Sequence, residues 1–401
     1  MHMKTNTRPF CLFHRGNYGH RECIIMGKIA TRILQFGNLL LLILALLCRL
    51  LTAPISLANA GESGPTTIAF PTDGAYCGAY IDFGNSEDKV TLEAIEKFEK
   101  MVGKPQAIIA SSSFWGELKF PTKNLLLISR HGAIPLIFWS PWDRPYIQEA
   151  DPDRFSLEEI LLGKWDAYID QWAIAAKEAG IPILVSWGLE MNGNWFPWSG
   201  YFYGGSTVGK TGLTGPETYK KAFRYVVDRV RARGANNILW GFHTNHYTYP
   251  RDHWNQMAEY YPGPEYVDWL GLSVYGKQFD DDAWASFENV MDEGYKEICE
   301  LDPIKPVLVA EYGVGEFPAA GDKAEWLTGA LDLLKTRYTR VRGAVYWHER
   351  WANPDGTYSN LRVNSSPEAL VAYRKGLADP FWLTRPQYLP KKSDLPVLRT
   401  P

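Results

Sequence analysis

Cysteine is scarce in this chain, and its scarcity excludes two kinds of protein. The 401 residues include five cysteines, of which only Cys77 and Cys299 lie beyond residue 60. Two cysteines over roughly 340 residues do not make a disulfide scaffold, and their spacing matches no cysteine-based metal pattern. The pair could still form one disulfide bond in an oxidising compartment.

An excess of positive charge is also absent. Lysine and arginine number 42 against 45 acidic residues, which gives a formal charge of −3. Residues 1–60 hold seven of the basic residues and one of the acidic ones, so the remainder carries 35 basic and 44 acidic residues, a formal charge of −9. This balance disfavours nucleic acid and anionic lipid as partners.

The apolar run nearest the amino end, residues 39–48, is too short to span a bilayer comfortably. Lys28 and Arg32 precede it, and an Ala-Asn-Ala stretch at 58–60 provides a small-residue cleavage site. Because this is the order of features in a signal peptide, residues 1–60 are predicted to be a targeting segment. The mature chain is then expected to be secreted or periplasmic.

Two alternatives concern the same segment. Met26 opens a more usual signal peptide, so residues 1–25 could be an extension upstream of the true start. An uncleaved segment over 33–57 would instead anchor the protein in a membrane.

No low-complexity linker divides the rest of the chain. Residues 61–74 are small and polar and are predicted to be an extended lead-in, followed by one large domain over 75–380. The remaining residues, 381–401, form a proline-rich tail that is expected to wrap the surface or to be disordered.

Within the large domain, short apolar runs alternate with segments of helical periodicity. Eight such β/α units predict an α/β protein built as a single closed (β/α)8 TIM barrel. A doubly wound nucleotide-binding fold fits less well, since no phosphate-type glycine-rich loop interrupts the units. The predicted strands are 79–83, 107–110, 134–139, 181–185, 237–242, 267–274, 305–310 and 343–346.

In such a barrel the functional residues lie at the carboxyl ends of the strands. Aromatic and polar side chains dominate these positions, with two carboxylates among them. The predicted cleft is therefore lined by Asp82, the loop 111–115, Trp139 with Trp142, Glu190, His243 with Asn245, Tyr275, Glu311, and Trp347 with His348.

Residues 187–200 read Trp-Gly-Leu-Glu-Met-Asn-Gly-Asn-Trp-Phe-Pro-Trp-Ser-Gly. The stretch places Glu190 after a buried strand and surrounds it with indoles and amides. Indole faces cover the apolar faces of sugar rings and amides pair with their hydroxyls, so the mixture indicates a carbohydrate site.

Glu311 repeats this arrangement after the seventh predicted strand. The fourth and seventh strands lie across the barrel mouth from each other. Facing carboxyl groups are what glycoside hydrolysis needs, because one protonates the leaving oxygen while the other attacks or steadies an oxocarbenium-like centre.

At these residues the chain resembles glycoside hydrolase family 26, a family of retaining (β/α)8 glycosidases. The resemblance rests on Glu-Met-Asn-Gly-Asn-Trp-Phe at 190–196, on Tyr-Val-Asp-Trp-Leu-Gly-Leu at 266–272 leading to Tyr275, on Ala-Glu-Tyr-Gly at 310–313, and on Trp347. It covers about residues 75–380 and implies an endo-β-1,4-mannanase-like glycosidase that needs no cofactor or metal.

The resemblance also implies roles for individual residues. Glu190 would be the acid/base, Glu311 the nucleophile, and Tyr275 a hydrogen-bond donor to the nucleophile, with Trp195 against the sugar at the cleavage point. Retention would place the two carboxyl groups about 5 to 5.5 Å apart. The residues expected to bind substrate are Trp195, Trp139, Trp142, Asn192, Trp198, His243, Asn245, Trp347 and Trp351.

One position departs from the family. Mannan-cleaving members usually have histidine immediately before the acid/base, where this chain has Leu189. The departure bears on the substrate and leaves the reaction unchanged, so β-1,3-1,4-glucan and β-1,3-xylan remain alternatives to mannan. The alternative from another functional class is a barrel that binds polysaccharide without cleaving it. If the enzyme acts from chain ends, the glycine-rich insert 201–215 is the segment that could block one end of the cleft.

Several other polar groups have two interpretations. His243 and His246 lie three residues apart without an evident third metal ligand, so His243 is expected to bond substrate or a neighbouring strand. Asp82 and Asp143 either bind outer sugars or cap helices. Glu349 is expected to point away from the cleft or to pair with Arg350.

The protein is expected to be a monomer, and its only expected partner is the polysaccharide substrate.

Overall fold

The computed structural model describes residues 66–85, 87–143 and 154–390. The predicted signal segment and the last part of the tail lie outside these residues. Eight parallel strands pair in chain order, and the first also pairs with the last, which closes the barrel. The barrel strands are β2 Ala75–Ile81, β3 Ile108–Phe114, β4 Ile134–Ser140, β5 Ile183–Trp187, β6 Ile238–Asn245, β7 Trp269–Tyr275, β8 Val307–Gly313 and β9 Val341–His348.

The predicted (β/α)8 barrel is confirmed, with all eight strands in the predicted order. Several strands extend further than predicted, so that His243, Glu311 and Trp347 lie inside their strands instead of after them. These runs are apolar on both faces, as strands covered on both sides are, and such runs carry no alternation that would mark their ends.

Helices cover the outside of the barrel. Gly180 follows the helix Asp166–Ala179 in the left-handed conformation, φ 64°, as expected for the residue that ends a helix. The helices are α1 Leu92–Val102, α2 Thr122–His131, α3 Leu157–Leu161, α4 Asp166–Ala179, α5 Gly215–Ala232, α6 Met257–Tyr260, α7 Phe287–Leu301, α8 Lys323–Thr336 and α9 Pro367–Leu377. Within the described residues, none of them is both long and apolar enough to cross a membrane.

The lead-in and the tail meet at the amino end of the barrel. β1 Thr66–Ala69 pairs antiparallel with β13 Gln387–Pro390, and β12 Trp382–Leu383 pairs with the start of β2. The Tyr76 hydroxyl donates to the Ala69 carbonyl at 2.7 Å and accepts from the Gln387 amide at 2.9 Å. The described part of the tail is thus paired with β1 and β2.

The two cysteines do not pair. Cys77 is buried in β2 and Cys299 lies half-buried on α7, and both are free thiols. Of the two possibilities that the sequence left open, the structure has the unpaired one.

Candidate active site

Glu190 is held by the strand next to its own. It lies three residues beyond β5, and its backbone amide donates to the His243 carbonyl of β6 at 2.8 Å. Its φ of 53° is in the left-handed region, which a residue with a side chain adopts only when its surroundings impose it. The surrounding loop thereby presents the carboxyl group to the barrel mouth.

Trp195 contacts this carboxyl directly. Its indole Nε1 donates to Glu190 Oε2 at 2.6 Å. The ring lies across Gly193 so closely that a Cβ there would meet it at 2.4 Å. Gly193 is therefore needed for the placement of the indole, which leaves Trp195 partly exposed at the cleft.

Glu311 owes its orientation to an irregularity in β8. Ser273 pairs with Glu311 while Leu272 pairs with Val309, so β8 has one extra residue at this point. A bulge of this kind re-aims the side chains that follow it. The Glu311 carboxyl is buried and accepts a 2.7 Å hydrogen bond from the Tyr275 hydroxyl.

The two carboxyl groups interact electrostatically. Burial raises the pKa of Glu190, against hydrogen bonds from Ser273 and Trp195 that lower it. Burial also raises the pKa of Glu311, and the charge of Glu190 raises it further, while the Tyr275 bond acts in the opposite direction. Burial and the charge of one carboxyl on the other therefore disfavour ionisation of both groups at once, and acid-plus-nucleophile chemistry requires one protonated and one ionised carboxyl.

Two further carboxyl groups lie beside Glu311. Burial and the charge of Glu87 raise the pKa of Glu349 to about 8, and both residues also raise the pKa of Glu311. Glu349 accepts from Trp347 Nε1 at 2.8 Å, whereas Arg350 lies over the Tyr358 ring. The prediction that Glu349 points away or pairs with Arg350 is wrong.

Sequence reasoning missed Glu87 altogether. It lies in the loop after β2, buried, and hydrogen-bonds the Ser112 hydroxyl of β3. Its position in the loop after the first predicted strand could have identified it, but the prediction named Asp82 in that loop. Asp82 forms an ion pair with Arg362, which comes from the loop after β9.

Of the two tryptophans expected to bind substrate after the last predicted strand begins, Trp347 is buried and Trp351 is partly exposed. Trp347 stacks on Tyr80 with ring centroids 4.0 Å apart and faces the same region as Glu349. Trp351 is partly exposed on the short hairpin formed by β10 Arg350–Ala352 and β11 Tyr358–Asn360.

Other predicted platforms are buried by aromatic neighbours. Trp139 stacks on Trp172 of α4 at 3.9 Å and is fully buried, so the structure does not bring it to the cleft. Trp142 and Trp198 pack edge to face in a cluster with Phe196, and each is at most 3% exposed.

The predicted polar contacts form a support beneath the site. Asn192 is buried, and its side chain bonds the backbone of Asn245 and the Tyr247 carbonyl. Asn245 bonds the Tyr247 carbonyl in turn. His243 bonds Ser186 and Ser273 on the adjacent strands, the second of its two predicted alternatives. Asp143 pairs with Arg154.

Within the described ranges, no cluster of three or more histidine, cysteine, aspartate or glutamate side chains is arranged to hold a metal ion.

Comparisons with known proteins agree on one family. Residues 154–314 match the sequence profile described as Glycosyl hydrolase family 26. Over 312 residues the chain is 31% identical to Endoglucanase H of Acetivibrio thermocellus, a match that covers 76% of this chain and 30% of that protein. Over 192 residues it is 29% identical to a mannan endo-1,4-beta-mannosidase of Bacillus subtilis, covering 48% of this chain and 45% of that protein. The chain therefore spans less than half the length of either relative.

A solved structure shares the fold. The catalytic domain of an endo-beta-1,4-mannanase of Bacillus sp. JAMB-750 matches with a TM-score of 0.58 at 21% identity, over 80% of this chain and 95% of that one. Identity this low shows a common (β/α)8 architecture and no more.

Proposed function

The chain belongs to glycoside hydrolase family 26, and from that premise we propose that it hydrolyses a β-linked polysaccharide by double displacement. The observation that carries the proposal is the pair of buried carboxyl groups at the ends of β5 and β8, each with its own donor. A purely binding barrel has no need of two buried carboxyls, one of which raises the pKa of the other.

In the first step Glu311 attacks the anomeric carbon, and the bond from that carbon to the leaving oxygen breaks. Glu190 gives its proton to that oxygen, so the leaving sugar departs as an alcohol and Glu190 becomes a carboxylate. The Tyr275 bond supports this step because it favours the ionised, nucleophilic form of Glu311.

In the second step Glu190 acts as the base. It takes a proton from water, whose oxygen attacks the anomeric carbon and displaces the Glu311 carboxylate. The Trp195 indole is hydrogen-bonded to Glu190. In this position the indole can cover the sugar at the cleavage point. The product keeps the configuration of the substrate.

For the substrate we favour β-1,4-mannan with endo action. The support comes from the sequence similarity to the mannan endo-1,4-beta-mannosidase of Bacillus subtilis. Leu189 supports a second candidate, a β-glucan. It is buried and apolar beside the acid/base, and the relative with the longest match reported above is named an endoglucanase.

Sugar release from a panel of polymers tests both the reaction and the substrate. The chain from residue 61 onward is incubated with mannan, galactomannan, mixed-linkage β-glucan, β-1,3-xylan and cellulose, beside Glu190→Gln and Glu311→Ala. We expect release from mannan or glucan that both variants abolish. Retained binding without release from any polymer would instead support a polysaccharide-binding barrel.

We also propose that the chain is exported, since Lys28, Arg32 and the run at 39–48 have the order of a signal peptide. Fractionation of cells that express the full chain tests this. A product beginning near Gly61 outside the cytoplasmic membrane is expected, whereas an uncleaved chain in the membrane fraction would favour the anchor.

A further inference from the structure

A column of three polar side chains crosses the barrel interior beneath Glu190. Ser186 of β5, His243 of β6 and Ser273 of β7 are all buried on neighbouring strands. The Ser186 hydroxyl lies 3.0 Å from His243 Nδ1, and His243 Nε2 lies 2.9 Å from the Ser273 hydroxyl. The Ser273 hydroxyl is also close enough to the Glu190 carboxyl to lower its pKa. The column therefore ends on the proposed acid/base.

The imidazole in this column is neutral. The rings of Phe138 on β4 and Trp269 on β7 lie 5.9 and 6.5 Å from it, and burial lowers the pKa of His243 to about 3. A neutral imidazole has one N–H donor and one acceptor nitrogen. Because both nitrogens are engaged, the two hydrogen bonds of His243 must run in the same direction along the column.

The direction decides what Ser273 offers to Glu190. When Nε2 carries the proton it donates to the Ser273 oxygen, which leaves the hydroxyl proton free to point at the carboxyl. Ser186 then donates to Nδ1. When Nδ1 carries the proton, Ser273 donates to Nε2 and turns only lone pairs toward Glu190. In the first arrangement the Glu190 carboxylate accepts a hydrogen bond from Ser273. In the second arrangement the lone pairs of the Ser273 oxygen repel it.

The other neighbours of Glu190 do not replace this contact. Trp195 reaches the carboxyl from the mouth of the barrel, and Leu189 beside it has no polar group to offer. The titratable groups that face Glu190, or its partner carboxyl, from the surrounding strands and loops are Glu311, Tyr247, Glu87 and Glu349. Being acids, all of them oppose a negative charge on Glu190 when they are ionised.

We propose that His243 is a positioning residue for Glu190. Its neutral ring turns the Ser273 hydroxyl toward the carboxyl and so stabilises the carboxylate that exists between the two steps. The inference rests on the proposed role of Glu190 as acid/base. His243 and Ser273 then contribute to catalysis from the barrel interior without contacting the sugar.

The kinetic test is the pH profile of kcat/KM on the polymer identified by the panel. Without the donated hydrogen bond the pKa of Glu190 rises, so the alkaline limb moves to higher pH in Ser273→Ala and in His243→Phe, while kcat falls. The double variant should move the limb no further than Ser273→Ala alone. His243→Gln, whose amide can donate from a similar position, should restore the limb toward the parent.

Thr244→Val is the matched control. Thr244 is equally buried on β6 and its hydroxyl contacts Met257 instead of the column. We expect its alkaline limb to stay in place. The proposal is overturned if Ser273→Ala and His243→Phe lower activity uniformly at all pH values without moving the limb, or if their effects on it simply add.

A second measurement needs no turnover. In protein labelled with ¹⁵N at histidine, with the His243 signals assigned by their loss in His243→Gln, the ring should stay neutral and carry its proton on Nε2 at about pH 9. As Glu190 takes up a proton at lower pH the preference for Nε2–H should weaken, and Glu190→Gln should abolish that change.

The two measurements separate the inference from the proposed reaction. An Nδ1–H ring at high pH, or ring signals indifferent to Glu190→Gln, would overturn the role of His243 whatever the enzyme cleaves. A tautomer change that follows Glu190 in a protein that cleaves no polymer of the panel would leave the column standing and refute the reaction.

Discussion

Tyr275 is the residue on which the ionisation of Glu311 most directly depends. Its hydroxyl donates to Glu311 at 2.7 Å and lowers a pKa that burial and Glu190 raise. In Tyr275→Phe that pKa should rise, so the acid limb of kcat/KM moves to higher pH. Loss of a hydrogen bond to a charged group costs about 1.5–3 kcal/mol, which corresponds to a tenfold or larger drop in kcat/KM at mildly acidic pH.

The pH profile and the thermal midpoint of the Tyr275→Phe variant are measured together. An unmoved acid limb in a fully folded variant would show that Tyr275 does not act on the nucleophile.

The Gly193→Ala variant tests whether catalysis depends on the position of the Trp195 indole. A Cβ at this position would meet the ring at 2.4 Å, so Gly193→Ala must displace the indole and weaken its bond to Glu190. We expect kcat to fall about tenfold or more with the fold intact, as judged by circular dichroism.

Gly329→Ala serves as its control. Gly329 lies in α8 with nothing within 4 Å of an added Cβ. Activity should be unchanged, and the free energy of unfolding should rise by up to about 1 kcal/mol, because alanine is the better helix former. Equal activity in the two alanine variants would refute the role assigned to Trp195.

At the scale of elements, the paired strands β1 and β13 are both held to β2 by one side chain, that of Tyr76. The Tyr76 hydroxyl bonds both of them, so Tyr76→Phe leaves the Ala69 carbonyl and the Gln387 amide without this partner. The free energy of unfolding in urea should fall by about 1–3 kcal/mol. Tyr76 lies at the amino end of β2, away from the cleft, so kcat should not change.

Tyr201→Phe provides the comparison, since that tyrosine is 48% exposed. Its unfolding curve should overlay the parent. A Tyr76→Phe variant as stable as the parent would show that these two hydrogen bonds contribute nothing to the stability of the protein.

For the whole molecule, the partly buried Glu349 links stability to pH. Its folded-state pKa of about 8 lies above the ordinary value of an unfolded glutamate. The folded state therefore holds a proton that the unfolded state loses, and stability decreases as pH rises from about 4.5 to about 8. Glu349→Gln lacks this titration and keeps an acceptor for Trp347.

The stability of Glu349→Gln relative to the parent should therefore grow through that window, by up to about 1.4 kcal/mol per pH unit. Urea unfolding at a series of pH values measures the difference. Glu96→Gln, on the exposed face of α1, should give a curve parallel to the parent. Parallel curves for both variants would mean that Glu349 is ionised in the folded protein throughout.

The order of the elements and the two central carboxyls followed from local features of the chain. Apolar runs of strand length alternate with helical periods whatever the rest of the molecule does, and eight repeats of that alternation close into a barrel. Glu190 and Glu311 were identifiable because each stands beside the end of such a run, with glycines and aromatics after it.

Only the tertiary structure decided which side chains face the cleft. The strand that holds Trp139 is apolar on both faces, so no pattern showed that its indole packs against Trp172 of a helix. The added residue in β8 and the approach of Glu87 and Glu349 to Glu311 depend on contacts between distant segments. The column from Ser186 through His243 to Ser273 likewise joins three strands. The sequence by itself therefore determined the barrel and its pair of carboxyl groups, because local periodicity specifies both, whereas the charge and hydrogen bonding around that pair came from packing that no local pattern encodes.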